Sequence, residues 1–236
     1  MHQSKKRTQK MPWLMLLVSA FACLVIAKAP VHLITPDLVK LAKKMYGEGI
    51  EVKLTNWGQL IADNTEVKDM EKLKRVNAYF NRHIAFVSDE KHWHTEDYWA
   101  TPLESLGSKA GDCEDFVIAK YFSLIQAGIA EEKLRITYVK AIKLNQAHMV
   151  LAYYSTARSE PFILDNLTSK ILLASKRRDL SPVYSFNGLG MWLERIKGSS
   201  IRIGDPKRLN MWTDLLARMS EQKMEAWLQP PVDAGK

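Results

Sequence analysis

The stretch AGDCEDFVIAK, residues 110–120, combines a chain-breaking glycine, a cysteine among three acids and an apolar run at helical spacing. This order predicts a loop that delivers Cys113 to the first turn of a helix. The partial positive charge of a helix N-terminus stabilises a thiolate, which is how many nucleophilic cysteines are activated. An inert thiol buried along the helix fits the stretch equally well, so a nucleophile requires a base and an orienting group elsewhere in the chain.

The first 29 residues have the pattern of a secretory signal peptide. A basic segment at 5–10 precedes an apolar run from Trp13 to Ala27, and Ala27-Lys28-Ala29 has the small residues of a cleavage site. We expect export to the periplasm and cleavage after Ala29, which leaves no membrane-spanning segment. Retention as an anchor is the alternative, although this run of about 15 residues is shorter than the roughly 20 that a spanning helix needs.

The composition is that of a globular protein, since the 236 residues are 47% hydrophobic and 25% charged. Without the leader, the chain suits one domain of about 200 residues. The formal net charge is +8, but five of the cations lie in residues 1–29, which hold no acid, so the remainder carries +3. This distribution argues against nucleic-acid binding. Of two cysteines, Cys23 lies in the leader, so the exported chain keeps only Cys113, which cannot form an internal disulfide.

The rest of the chain divides into helical and strand-rich parts. Residues 30–87 have mostly helical apolar spacing, and a long connection at 88–111 leads to the cysteine helix at about 112–126. Short runs rich in β-branched and aromatic residues, typical of an antiparallel meander, follow at 134–144, 147–154 and 161–167. A last amphipathic helix is expected at 206–228.

We therefore predict an α+β fold in which a central helix that bears the cysteine packs on an antiparallel β-sheet, with an N-terminal helical cap. The predicted parts are a signal peptide at 1–29, a helical subdomain at 30–87 and a core at 88–236 that ends in the C-terminal helix. The basic segment Lys176-Arg177-Arg178 is expected in a solvated turn, with docking of a partner as the weaker alternative.

His148 and Asp165 are the candidates for the base and its orienting group. His148 lies near the start of the second predicted strand, and Asp165 lies at the end of the third. Neighbouring antiparallel strands place the start of one beside the end of the next, so both residues are expected at one sheet edge. Taken singly, a histidine in a strand is more often a core or surface residue, and an aspartate before an asparagine is more often a turn former. Together with Cys113, they favour a catalytic triad.

Five segments carry a further signal. They are Tyr98–Glu104, Gly111–Asp115, Ala119–Phe122, Ala147–Val150 and Leu164–Asn166. In these segments the chain resembles the bacterial transglutaminase-like cysteine proteinases, over about residues 56–195. The block that contains Cys113 is specific, whereas the histidine and aspartate motifs are weak individually. The resemblance implies a papain/transglutaminase-like fold, a triad of Cys113, His148 and Asp165, and hydrolysis of a peptide bond rather than transamidation.

The same resemblance implies a setting for the reaction. Members of the family are calcium-dependent periplasmic enzymes that cut large surface adhesins near an N-terminal membrane-retention segment, at a small-residue site. They are sequestered by an inner-membrane cyclic-di-GMP receptor. We therefore expect a large adhesin as the substrate, whose release promotes biofilm detachment, and such a receptor as the partner. A transglutaminase or amidase on the same triad and a non-catalytic periplasmic binding module are the alternatives.

Asp112, Glu114 and Asp115 surround the thiol with three negative charges. Acids at this position commonly cap the helix and pair with its dipole. They should also raise the pKa of the thiol unless a cation neutralises them, and Ca²⁺, which prefers oxygen ligands, would do so. The resemblance points to Asp112 and Glu114 as calcium ligands, with Asp115 as a less certain third.

An oxyanion in such a site needs two hydrogen-bond donors. The main-chain N–H of Cys113 is the first. The indole N–H of Trp99 or Trp93, both in the connection before the cysteine helix, is the candidate for the second. Either tryptophan taken alone is more often a packing residue.

Overall fold

The structure, a computed structural model, describes residues 33–194, 200–229 and 231, all within the unit Val31–Lys236. The predicted signal peptide at 1–29 lies outside these residues. Within the described ranges, no helix is long and apolar enough to cross a membrane. The division between a helical subdomain and a core stays a prediction.

Three helices form the N-terminal part of the described chain. They are α1 Pro36–Tyr46, α2 Ile50–Ala62 and α3 Asp69–His83. The Thr35 hydroxyl caps α1 by accepting the N–H of Leu38 at 3.1 Å. Gly47 ends this helix with a φ of 79°, which glycine adopts without steric cost. The apolar faces of α2 and α3 pack on the central helix and form the helical cap that the sequence predicts.

The connection to the cysteine is partly regular. It contains β1 Ala85–Phe86, α4 Asp89–His92, α5 Pro102–Ser108 and β2 Ala110–Gly111, with β1 and β2 paired in parallel. The Thr101 hydroxyl accepts the N–H of Glu104 at 3.2 Å, and the Glu104 carboxylate accepts the N–H of Thr101 at 2.7 Å, so a capping box starts α5. Arg218 donates to Glu104 at 2.7 Å and to the Trp99 carbonyl at 2.6 Å, which ties the connection to the C-terminal part of the chain.

Helix α6, Cys113–Gln126, is the central helix that the sequence predicts. All its residues from Glu114 to Gln126 are buried, including the polar ones. These polar side chains have partners in the core. For example, the Ser123 hydroxyl accepts the indole N–H of Trp57 at 2.8 Å.

A seven-stranded antiparallel sheet packs on α6, which confirms the predicted α+β arrangement. Its strands are β3 Leu134–Ala141, β4 Gln146–Tyr153, β5 Phe162–Leu164, β6 Leu172–Leu173, β7 Leu180–Asn187, β8 Gly190–Glu194 and β9 Ser200–Gly204, in the spatial order β6-β5-β4-β3-β7-β8-β9. Strands β3, β4 and β5 form the predicted meander, and β7 pairs with the other side of β3. Ile136, Leu151 and Leu164 share one buried cluster with α6.

The prediction of one continuous helix at 206–228 is wrong. This segment forms the 3-10 helix Pro206–Arg208, helix α7 Asn210–Glu221 and the 3-10 helix Glu225–Leu228. Lys223 has a φ of 63° and reverses the chain after α7. The reversal lets Trp227 stack on Trp57, with ring centroids 3.8 Å apart. Burial of this indole in the core therefore outweighs the amphipathic periodicity that would otherwise continue the helix.

Lys120 is an unusual member of α6 because its side chain is fully buried. The ammonium donates to the Asp165 carbonyl at 3.2 Å and lies 5.5 Å from the centroid of the Phe116 ring. Burial lowers the pKa of Lys120 to about 7, against an opposing contribution from the charge of Asp165. The folded protein therefore bears the cost of a buried charge mainly below this pH.

Replacement of Lys120 by Met should reveal that cost. The lysine has a lower pKa in the folded than in the unfolded chain, so its penalty is complete below about pH 7 and declines as the pH rises toward 10.5. Lys120→Met should therefore raise the melting temperature relative to wild type by several degrees more at pH 6 than at pH 9. The exposed Lys74→Met on α3 should show no such difference. An equal shift of Lys120→Met at both pH values would contradict the expectation.

Candidate active site

A close approach of Asp115 to Gly111 shapes the loop before the thiol. A Cβ at Gly111 would lie 2.4 Å from Asp115 Oδ2, so only glycine fits here. The fully buried Asp115 carboxylate accepts the N–H of Asp112 at 3.1 Å and the N–H of Ala100 at 2.7 Å. Asp115 therefore fixes both the start of α6 and the middle of the preceding connection, at Ala100.

Cys113 is the first residue of α6, as the sequence predicts. Its thiol donates to Glu114 Oε2 at 2.9 Å, and no hydrogen bond joins it to His148. Burial raises the pKa of the thiol, and the negative charge of Glu114 adds to this rise, while the main-chain N–H of Met149 opposes it. Met149 directly follows His148 on β4, so the thiol lies beside the strand that carries the candidate base.

His148 and Asp165 meet at the sheet edge where the antiparallel argument places them. His148 Nε2 lies 2.8 Å from Asp165 Oδ1, and both side chains are buried. Asp165 follows β5 directly, and its Oδ1 also accepts the N–H of Leu167 at 3.0 Å. Burial alone would raise the pKa of Asp165, but its hydrogen bonds and the charge of His148 lower it to about 2.

Arg177 also binds Asp165, and the sequence analysis missed this role. Its Nη2 lies 2.7 Å from Asp165 Oδ2 and 2.8 Å from Asp179 Oδ2. The expectation of a solvated turn is wrong for Arg177, which is only 5% exposed, whereas Lys176 and Arg178 are exposed. In the sequence, Asp179 two positions after Arg177 is only a weak indication that the arginine is paired locally. The contact with Asp165 depends on the fold of the whole sheet.

A cluster of acids lies beside the thiol. Asp89, Asp112 and Asp115 offer carboxylate oxygens within 4.8 Å of one another, and so do Asp89, Asp97 and Glu114. Asp89 Oδ1 and Asp112 Oδ1 are buried and have no hydrogen-bond partner in the described part of the chain. The sequence analysis missed Asp89 and Asp97, which lie in the irregular connection and follow no ligand-spacing pattern.

Several carboxyl groups of this cluster have raised pKa values, which favours the binding of a cation. Burial raises the pKa of Asp89 to about 6. Burial, with a contribution from Asp112, raises the pKa of Glu114 to about 10, and the pKa of Asp112 is raised by burial as well. Partnerless buried oxygens and an all-carboxylate donor set suit a hard divalent cation such as Ca²⁺. The residues present therefore fit a calcium site beside the thiol, with Asp112 and Glu114 among its acids as the sequence predicts.

The two candidate tryptophans have different surroundings. Trp99 is buried and stacks on Phe186, with ring centroids 5.6 Å apart. Trp93 lies next to Tyr98, at 4.7 Å between centroids. The indole N–H of Trp93 is buried and has no acceptor among the residues that the structure describes. The role of either indole as an oxyanion donor stays a prediction.

The sequence matches the family model of the bacterial transglutaminase-like cysteine proteinases over residues 51–179. This chain belongs to that family, whose fold and thiol chemistry agree with a central cysteine-bearing helix on an antiparallel sheet. A search of curated proteins finds no match.

Solved structures of LapG from Legionella pneumophila are similar to this chain. One is 44% identical with a TM-score of 0.68, and the match covers 77% of this chain and 94% of LapG. The EGTA-treated form is 43% identical with a TM-score of 0.68, and the match covers 77% of this chain and 97% of LapG. The calcium-bound form is 43% identical with a TM-score of 0.67, and the match again covers 77% of this chain and 97% of LapG.

Arg177→Gln should impair the active site. The substitution removes the cation that pairs with the buried Asp165 and leaves its Oδ2 without this donor. We expect kcat for peptide hydrolysis to fall roughly 10- to 100-fold, by analogy with the range found for groups that orient metal-ligating histidines, with little change in KM.

Arg178→Gln provides the matched control, since the neighbouring Arg178 is exposed and removal of its charge should leave kcat unchanged. Steady-state kinetics on one peptide substrate would measure both variants, and circular dichroism would verify their folding. Equal activities of a folded Arg177→Gln and wild type would exclude a positioning role for Arg177.

Proposed function

We propose that this chain is a periplasmic, calcium-dependent cysteine endopeptidase that cleaves the N-terminal region of a large surface adhesin. The observation that carries the proposal is the buried hydrogen bond of 2.8 Å between His148, on a strand that packs on the Cys113 helix, and Asp165, which follows the next strand. Membership of the proteinase family and the similarity to LapG support it.

The bond to Asp165 determines how His148 acts as a base. Asp165 is ionised at neutral pH because its pKa is about 2, so its Oδ1 accepts a hydrogen bond from the Nε2–H of the ring. A neutral His148 then carries its lone pair on Nδ1. That atom is able to take the proton of Cys113 once the thiol exchanges its hydrogen bond with Glu114 for one with the ring.

Hydrolysis then proceeds through an acyl-enzyme. His148 removes the proton of Cys113, and the thiolate attacks the carbonyl carbon of the scissile peptide bond. The oxyanion is held by the main-chain N–H of Cys113, which has no acceptor inside the helix, and by the indole N–H of Trp93. His148 protonates the leaving amine, and water attacks the thioester to release the acid and restore the thiol.

Calcium belongs to this proposal because of the charges around the thiol. When bound, Ca²⁺ neutralises the carboxylates that raise the pKa of Cys113 and so favours the thiolate. We propose Asp89, Asp97, Asp112 and Glu114 as its side-chain ligands, since Asp89 shares one group of close carboxylates with Asp112 and another with Asp97 and Glu114. Asp115, expected from the sequence as a third ligand, is better suited to positioning, because each of its oxygens accepts a main-chain N–H.

The substrate, partner and compartment rest on the sequence resemblance. The predicted signal peptide would bring the protease to the periplasm, where the N-terminal region of an adhesin is accessible. Its cleavage at a small-residue site would release the adhesin and promote biofilm detachment. Sequestration by an inner-membrane cyclic-di-GMP receptor would set when cleavage occurs.

Cys113→Ala should abolish cleavage of an adhesin N-terminal fragment, because the variant lacks the nucleophile. Ser155→Ala, which removes an exposed hydroxyl after the end of β4 opposite to His148, should cleave at the wild-type rate. Mass spectrometry of the products, with and without an added primary amine, distinguishes hydrolysis from acyl transfer. Cleavage by a folded Cys113→Ala would refute the assignment, and an amine adduct as the main product would favour the transglutaminase alternative.

Removal of calcium should suppress activity and lower stability together. We expect EGTA to abolish cleavage and added Ca²⁺ to raise the melting temperature, because a ligand that binds only the folded state stabilises it. Asp112→Asn and Glu114→Gln should lose both effects. The matched control is Glu90→Gln, since Glu90 is exposed on α4 next to the cluster. Full activity in excess chelator would remove calcium from the mechanism.

A further inference from the structure

A cationic cavity lies in the helical cap, apart from the residues of the proposed triad and the acid cluster. It has a volume of about 340 Å³ and opens between α2, α3 and the end of α5. Polar and charged side chains from all three elements line it, namely Lys53, Asn56, Tyr79, Arg82, His83 and Lys109. No carboxylate is among its described lining residues.

Two cations elsewhere in the helical cap are paired with acids. Lys43 lies 2.9 Å from Glu48 and 2.5 Å from Glu51, and Arg75 lies 2.9 Å from Glu71. By contrast, neither Arg82 nor Lys109 has an acidic partner within 4.0 Å in the part of the chain that the structure describes. The cavity therefore concentrates positive charge that the described protein leaves uncompensated.

Both lysines of the cavity are bound to neighbouring parts of the fold, Lys53 through its ammonium and Lys109 through its main chain. Lys53 donates to the Leu106 carbonyl at 2.7 Å, which fixes its ammonium at the end of α5. Lys109 adopts a left-handed conformation with a φ of 63°, and its carbonyl accepts the N–H of Ala85 at 2.8 Å. Burial and the nearby charge of Lys109 lower the pKa of Lys53, so an anion in the cavity would favour the charged lysine.

We propose that this cavity binds a phosphate group, either as free phosphate and small phosphate esters or as the headgroup of an anionic lipid. A phosphate accepts hydrogen bonds from several directions, which suits cations on three separate elements together with the Tyr79 hydroxyl and the Asn56 amide. Lys109 immediately precedes β2 and the loop to Cys113, so a bound phosphate would link the helical cap to that loop. The inference goes beyond the proposed proteolysis and does not depend on it.

The test is calorimetric titration of the full chain with inorganic phosphate and with glycerol 3-phosphate, at constant ionic strength. The protein is first stripped of divalent cations on a chelating resin, because phosphate precipitates calcium and a soluble chelator is itself a competing anion. We expect saturable binding to one site and a matching rise in melting temperature. The double variant Arg82→Gln/Lys109→Asn should bind at least about tenfold more weakly, since each substitution removes a charge from the site.

Asparagine is chosen at position 109 because it tolerates the left-handed conformation. Lys44→Gln/Lys74→Gln removes the same net charge from exposed positions outside the cavity and should retain wild-type affinity. Sedimentation with vesicles of phosphatidylglycerol and phosphatidylcholine distinguishes the sources. If the protein binds the vesicles and glycerol 3-phosphate displaces it, the ligand is a lipid headgroup. If it binds only the free probes, the ligand is a small phosphate compound. No binding in either arm, or equal losses in the two double variants, would overturn the proposal.

Discussion

Asp165 is the residue on which the separate parts of this structure converge. Its carboxylate binds His148 from the sheet and Arg177 from the segment after β6, at 2.8 Å and 2.7 Å. Its carbonyl accepts hydrogen bonds from Asn81 on α3 at 2.9 Å and from Lys120 on α6 at 3.2 Å. A fully buried residue is tolerated only when its charge and its main-chain carbonyl both have partners, so the sheet and the Arg177 segment must be in place for the carboxylate, and the cap and the central helix for the carbonyl.

The charge environment of Asp165 is the opposite of that around Cys113. At Asp165, an arginine and a histidine hold the pKa at about 2, so the carboxylate is compensated within the protein. Around the thiol, burial raises the pKa of Glu114 to about 10 and that of Asp89 to about 6. The charge of Asp165 is compensated within the protein, whereas that of the acids around the thiol is not, which supports the proposal that a cation from outside the chain binds there. This contrast is the physical reason for proposing a cation there.

The sequence was sufficient for those parts of the fold and site that follow regular periodicity. The central helix follows from helical spacing, and the meander follows from its short β-branched and aromatic runs. The approach of His148 to Asp165 follows because, in antiparallel neighbours, the start of one strand lies beside the end of the next. Arg177, Asp89 and Asp97 lie in irregular segments, where no periodicity relates sequence separation to distance. The break in the last helix was missed for a related reason. The stacking of Trp227 on the distant Trp57 outweighs the amphipathic spacing of the segment itself.

The anchoring of the connection indicates where a cation would act on the structure. Pairing of β1 with β2 holds one part of it, and Arg218 holds Trp99 and Glu104 at the other. Asp89 is fixed by the N–H of Tyr98 at 2.5 Å, whereas most side chains between these points, including Asp97, are exposed. When the acids are ionised, their repulsion can therefore be relieved mainly by displacement of the segment around residue 97. A cation that draws Asp97 toward Glu114 would oppose this displacement and order the chain next to the thiol.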